Sequence, residues 1–174
     1  MSKQMLDFFG KFFSHYSKVP DRTVFLLTSV ICLTCLVFAL TAEVVFKIMP
    51  CSLCIYERYV YVAILLISIA GIVKSPPLLT QWLCTLAALF GCGLTIYHIG
   101  VELHWWQGLA ACKAPQGIKA QSMEEMRRAI ESEPFVPCDE IGWRIFGIPA
   151  TWINLLIMLS LAKLSGFKIW LRRK

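Results

Sequence analysis

Three stretches of this 174-residue chain carry no charged residue: 23–42, 75–101 and 145–162, which are 20, 27 and 18 residues long. A hydrocarbon interior offers no water to satisfy backbone N–H and C=O groups, so an uncharged run near ~20 residues crosses it as a helix. A fourth run, 59–73, has only 15 residues between Arg58 and Lys74. At 1.5 Å per residue it falls short of a ~30 Å core. Extending it back to Leu53 supplies the length, draws Glu57 and Arg58 about one turn into the membrane, and leaves Cys51 and Cys54 at the edge.

The composition agrees: 57% of residues are apolar, 16% are charged and the mean hydropathy is +0.65. Soluble domains run nearer 45–50% apolar and 25% charged. Disorder and an ordinary soluble globule are both excluded. The net charge of +6 does not point to nucleic acid, because the basic residues sit between apolar runs rather than on one exposed face. The expected fold is all-α: one membrane domain over residues 1–174, a four-helix bundle with spans at roughly 23–43, 53–73, 78–98 and 145–162.

Four spans place both termini on one side, and the Lys/Arg count selects it. One face carries ten basic residues, from Lys3, Lys11 and Lys18 through Lys74 to Lys174; the other carries six, diluted by eight acids between Glu43 and Glu140. Both termini are therefore expected on the inner side. The first run exceeds the 7–15 residues of a signal-peptide core and ends Leu-Thr-Ala without a small residue at −3, so cleavage is not expected. Ahead of it, Met5, Phe8, Phe9, Phe12, Phe13 and Tyr16 recur at helical spacing opposite Lys3, Asp7, Lys11 and Lys18, the pattern of an interfacial amphipathic helix. The outer loop, residues 102–144, holds a capping box, Ser122 with Glu125, opening a short amphipathic helix; the rest reads as irregular. There is no internal repeat.

Topology sorts the eight cysteines. Cys32, Cys35, Cys84 and Cys92 fall within spans one and three, whereas Cys51, Cys54, Cys112 and Cys138 lie on the outer face, where disulfides persist. Cys32 and Cys35 share the CxxC spacing of Cys51 and Cys54, so environment has to separate the two pairs. A thiol in hydrocarbon is held protonated, so the membrane quartet reads as apolar filler. Cys51 follows Pro50 and opens a helix, whose dipole favours a thiolate. Spacings of three and four residues align Cys51, Cys54 and Arg58 on one helical face. Arg58 alone can be read as snorkelling to the headgroups; beside a CxxC, a buried cation has a chemical use. His98 ends span three on the outer side, level with Arg58, as an interfacial residue or a functional one. Tyr56, Tyr59, Trp105, Trp106 and Trp143 need no more than an aromatic belt. Cys112 and Cys138 flank the loop helix. No His/Cys pattern closes a four-ligand metal site, and no metal is expected.

With these residues placed, the chain closely resembles the bacterial disulfide bond formation protein B family, DsbB. The likeness rests on Pro50-Cys51-Ser52-Leu53-Cys54-Ile55-Tyr56-Glu57-Arg58, on Tyr97-His98 followed by Glu102, on Cys112, and on Pro137-Cys138-Asp139-Glu140 continuing through Trp143, Phe146-Gly147 and Trp152-Ile153-Asn154. The basic aromatic N-terminal segment and the membrane cysteines depart from the family pattern. The resemblance implies a quinone-dependent oxidase of the bacterial inner membrane, with cytoplasmic termini and periplasmic redox cysteines. It would regenerate the disulfide of a DsbA-type thioredoxin-fold oxidase, the relay known to keep the periplasm oxidising kinetically. It further implies that the partner attacks Cys112 of a Cys112–Cys138 disulfide, that Cys138 exchanges with Cys51, and that Cys54 passes electrons to ubiquinone or menaquinone, with Arg58 and His98 in the quinone pocket. Two other readings stay open from the residues alone: a transmembrane thiol reductase carrying electrons outward, and a four-span scaffold with a structural loop disulfide. A vitamin K epoxide reductase relative would carry its CxxC near the last span.

Overall fold

The computed structural model describes residues 19–73, 76–112, 136–145 and 147–173. Four long helices make the bundle: α1 (Asp21–Val44), α2 (Ser52–Val73), α3 (Pro77–Glu102) and α4 (Ala150–Arg173). All four are long and apolar enough to cross a membrane. The chain is thus an all-α, multi-pass membrane protein. The expected N-terminal amphipathic helix and the capped helix at Ser122 lie outside the described residues.

Charges end a hydrocarbon run, but they do not end a helix. The helices accordingly overrun three expected spans: α1 begins at Asp21, α3 continues past His98 to Glu102, and α4 continues past Ala162 through Lys163 and Lys168 to Arg173. The larger correction is at the fourth span, expected from 145. Before the helix, β1 (Arg144–Ile145) instead pairs antiparallel with β2 (Ile148–Pro149), and Gly147 between them has φ +85°. Pro149 has no N–H to donate and restrains the residue before it from helical geometry, so α4 starts just after it.

The bundle has an apolar core around Val60, Ile64, Ala88, Met158 and Leu161, but its outer surface is apolar as well and several polar side chains are inside. Leu33, Leu40, Leu66, Leu86, Phe90 and Leu156 are exposed, whereas Thr28, Ser68, Gln81, Thr95 and His98 are buried. Without a hydrophobic drive between helices in lipid, polar contacts and close packing hold them together. Ser29 meets Ser68 across α1 and α2 at 2.9 Å. The Tyr61 hydroxyl of α2 donates to Asn154 Oδ1 at 2.6 Å, and Asn154 Nδ2 donates to Thr95 Oγ1 of α3 at 2.9 Å. At the opposite end Gln81 and Arg172 both reach Asp21. Neighbours in sequence pack extensively, whereas α1 and α4 barely meet.

The end of α3 steers the loop. His104 N–H reaches Val101 O and Trp105 N–H reaches Gly100 O, the two bonds of a Schellman close, with His104 at φ +58° where glycine is usual. The turn lays Trp106 back on α3, stacked on Tyr97 at 6.0 Å and donating to Tyr97 O at 2.8 Å. A Cβ at Gly100 would lie 2.0 Å from Trp106 Cζ2, so only glycine lets the indole approach. The Tyr97 hydroxyl then donates to Gln107 O, and a 3₁₀ turn at Ala110–Cys112 brings Cys112 to the start of α2.

Overpacking of this kind costs about 1–3 kcal/mol. Gly100→Ala should therefore lower thermal stability in detergent by that amount, and Trp106→Ala added to it should return most of the loss. Equal melting of wild type and Gly100→Ala would mean that the indole does not rest on the glycine.

Candidate functional site

The N-terminus of α2 is built around a sulfur. Cys51 O accepts the first helical bond, from Ile55 N–H, and Cys51 Sγ accepts the Cys54 N–H at 3.3 Å, so Cys51 caps the helix. The Cys54 thiol lies 3.0 Å from Cys51 Sγ, and His98 Nε2 of α3 lies 3.5 Å from it. Together the Cys54 thiol, the His98 ring and the Cys54 N–H hold the Cys51 thiol well below the usual thiol range, to about 4, against the burial that would raise it.

His98 is 1% exposed and needs partners on both nitrogens. Its Nδ1 faces Glu57 Oε1 at 3.1 Å, and Glu102 Oε1 stands 3.9 Å from Nε2. Glu102 is tied in turn to α4, whose Thr151 hydroxyl donates to Glu102 Oε2 at 2.7 Å. Three helices therefore meet at one buried imidazole.

The second cysteine pair lies against the first. Cys112 and Cys138 are joined by a disulfide, Cα atoms 5.2 Å apart, and both are buried in one cluster with Cys51, Leu53 and Val101. The described ends of the long loop are thus packed onto the bundle rather than free above it.

Below Cys54, at the seam where α1 and α4 barely meet, is a cavity of about 170 Å³. Leu36, Phe38, Ile48, Trp143, Ile153 and Ile157 give it apolar walls; Cys51, Cys54, Glu57, Arg58 and His98 supply its polar edge. Arg58 is held there by Glu43 Oε2 at 2.5 Å and Ala39 O at 3.4 Å, both on α1. Trp143, just before β1, stacks on Phe38 at 5.5 Å as part of the wall. An apolar chamber with a cation and a thiol at its rim fits a lipid-soluble ring bearing electronegative oxygens.

The sequence profile of the family described as disulfide bond formation protein DsbB matches residues 21–167. The chain belongs to the DsbB family. It is 33% identical over 133 residues to the uncharacterized protein RP370 of Rickettsia prowazekii, covering 74% of this chain and 76% of that one. It is similar to proteins named disulfide bond formation protein B from Xanthomonas axonopodis, 24% identical over 85% of this chain and 91% of the relative, and from Xylella fastidiosa, 26% over 79% and 84%. Family membership makes this a membrane protein of disulfide formation, a disulfide-forming oxidoreductase.

In this DsbB-family chain all six residues singled out from the sequence lie at one end of the bundle. His98 stands against Cys51 rather than beside Arg58, and the partners of Arg58 come from α1. Of the membrane quartet, Cys32, Cys84 and Cys92 are in the core, but Cys35 lines the cavity. Helical spacing and charge-free runs do not single out Glu43 or Thr151, Glu102 enters only as a motif residue, and Glu57 is placed one turn inside the membrane without a role. Glu57 carries a usable signal all the same: an acid one turn inside a span is as conspicuous as the arginine beside it. Glu43 and Thr151 carry none, because their partners are 15 and 49 positions away.

The depressed Cys51 thiol has a kinetic signature. In reduced protein its alkylation should be nearly flat from about pH 6 to 8, whereas an ordinary thiol near 8.5 gains about tenfold per unit below its pKa. His98→Ala should move the midpoint upward. A wild-type rate that climbs tenfold per unit through this range would show that the site does not hold a thiolate.

Proposed function

We propose that this chain is a membrane thiol oxidase that reoxidises a periplasmic DsbA-type dithiol and delivers the electrons to a membrane quinone, ubiquinone or menaquinone. The observation that carries this reading is the placement of two cysteine pairs in one buried cluster at the rim of an apolar cavity with a cation in its wall. The whole chain acts as one unit of the bacterial inner membrane, termini cytoplasmic and cysteine pairs periplasmic, as the ten-to-six basic asymmetry favours.

Each exchange step follows from sulfur chemistry. A partner thiolate attacks Cys112 Sγ; the bond to Cys138 breaks and Cys138 leaves as a thiolate. Cys138 then attacks Cys51 of an oxidised Cys51–Cys54 pair, and Cys54 leaves toward the cavity, while the partner's second thiol releases Cys112. Cys112 in turn attacks Cys138 of the Cys51–Cys138 disulfide, which restores the loop pair and frees Cys51 as a thiolate. A quinone bound in the cavity would accept two electrons and two protons as the Cys51–Cys54 disulfide reforms. Arg58 provides positive charge at the rim, where it would stabilise negative charge on Cys54 and on the oxygen of a bound quinone. His98, 3.5 Å from Cys51 Sγ, stabilises the thiolate that Cys51 becomes on release, with Glu57 fixing its ring. DsbA-type dithiols stand near −120 mV, unusually oxidising, so reoxidising them demands an acceptor of quinone class.

The deciding experiment supplies purified protein with reduced partner and quinone. Cys54→Ser should abolish quinone reduction and Cys112→Ser should block electron entry, while joint replacement of Cys32, Cys84 and Cys92 leaves turnover within a few-fold. Arg58→Lys keeps the charge but loses the planar fork. Loss of one charge-assisted hydrogen bond, about 1.5–3 kcal/mol, predicts a roughly 10- to 100-fold lower kcat/KM for quinone, with the partner's exchange rate nearly unchanged. Equal kcat/KM in wild type and Arg58→Lys would reduce Arg58 to an anchor. Electron flow that needs the membrane cysteines and not the outer four would replace the oxidase with an outward reductase.

A further inference from the structure

The same cluster has the donor set of a metal centre. Cys51 Sγ, Cys54 Sγ and His98 Nε2 lie within 4.8 Å of one another, two sulfurs and one nitrogen on two rigid helices. Bonds of about 2.3 Å to sulfur and 2.0–2.1 Å to nitrogen, meeting tetrahedrally, put S and N about 3.55 Å apart and two sulfurs about 3.8 Å apart. The Cys51–His98 separation is already 3.5 Å; the sulfurs, at 3.0 Å, have to part by under about 1 Å, and Cys54 Sγ has to come to about 3.55 Å of His98 Nε2 from a separation within 4.8 Å, both by rotation of the Cys54 side chain.

The surroundings complete the case. Metal-bound histidines commonly donate their second N–H to a carboxylate, which fixes the tautomer. Here Nδ1 faces Glu57 Oε1 at 3.1 Å, so in the tautomer that donates to Glu57 the Nε2 lone pair is directed at the sulfurs. Glu102 Oε1, 3.9 Å from Nε2, stands beside the fourth position. Sulfur binds metal as the thiolate, and Cys51 Sγ sits at the N-terminal cap of α2, where the helix dipole favours an anion.

We propose that Cys51 and Cys54, when reduced, bind a thiophilic divalent cation of the zinc class together with His98, and that Glu57 is the outer partner of the histidine. Binding displaces two protons, one from the Cys54 thiol and one from the Cys51–His98 pair, and changes no oxidation state. An occupied site ties up both sulfurs, so the cation opposes formation of the Cys51–Cys54 disulfide. If the oxidase reading above is right, this makes zinc a brake on the relay.

Cobalt(II) is the probe. Full-length protein in detergent, reduced with a phosphine, should bind one Co²⁺ per chain with a thiolate-to-cobalt charge-transfer absorption. Zn²⁺ should displace it and protect Cys51 and Cys54 from alkylation, and protein with the Cys51–Cys54 disulfide restored should bind none. Cys54→Ser should lose the absorption, and Glu57→Gln should weaken binding by about 10- to 100-fold. His98→Ala should weaken it at least as much; if that variant does not fold, Glu57→Gln and the alkylation protection decide. An unchanged absorption in Cys54→Ser, or none in folded, reduced wild type, overturns the proposal. Cobalt binding without quinone reduction would sink the oxidase reading alone, and quinone reduction without cobalt binding would sink the metal site alone.

Discussion

A buried imidazole in an apolar bundle has to find hydrogen-bond partners, and the architecture of the outer end follows from how His98 finds them. Leaving such a group unpaired costs about 1–3 kcal/mol. Glu57 answers from α2, Cys51 from the cap of that helix, and Glu102 ties the same turn of α3 to Thr151 of α4. These contacts fix the start of α2 against the end of α3, and with it the position of the CxxC. The Schellman close and Trp106 then return the loop to that point, so the Cys112–Cys138 disulfide comes to lie against Cys51.

The second constraint is the near absence of contact between α1 and α4. Each packs on its sequence neighbours, and the space left between them is the cavity. Glu43 at the end of α1 reaches across to Arg58 and keeps the guanidinium on the wall. A carboxylate partner makes the half-buried cation tolerable in the membrane, and it also sets the direction in which the positive field points. A cation, a polar relay and apolar walls thus share one chamber whose lining is drawn from all four helices.

Much of this architecture is legible in the amino-acid sequence. The four spans, the division of cysteines and the alignment of Cys51, Cys54 and Arg58 all follow from charge-free runs and helical spacing, which are local properties. What is not legible is non-local or depends on unusual backbone. The paired strands β1 and β2 fall mostly within an uncharged run, where hydropathy cannot distinguish a strand from a helix. His104 at a left-handed position gives no signal where glycine or asparagine would. Cys35 reads as filler by its neighbours in sequence, yet the bundle places it on the cavity wall. The burial of the Cys112–Cys138 disulfide depends on Trp106 meeting a glycine six residues earlier, a contact no periodicity announces.

The central claim is that electrons cross from the loop pair to the helix pair through Cys138 and Cys51. It is tested most directly in the Cys54→Ser/Cys112→Ser variant, which removes the resolving sulfur of each pair and leaves the two exchanging ones. After mild oxidation, peptide mapping by mass spectrometry should find Cys51 linked to Cys138 in most molecules. Recovery of both cysteines as free thiols, or linked between different chains, would contradict the relay.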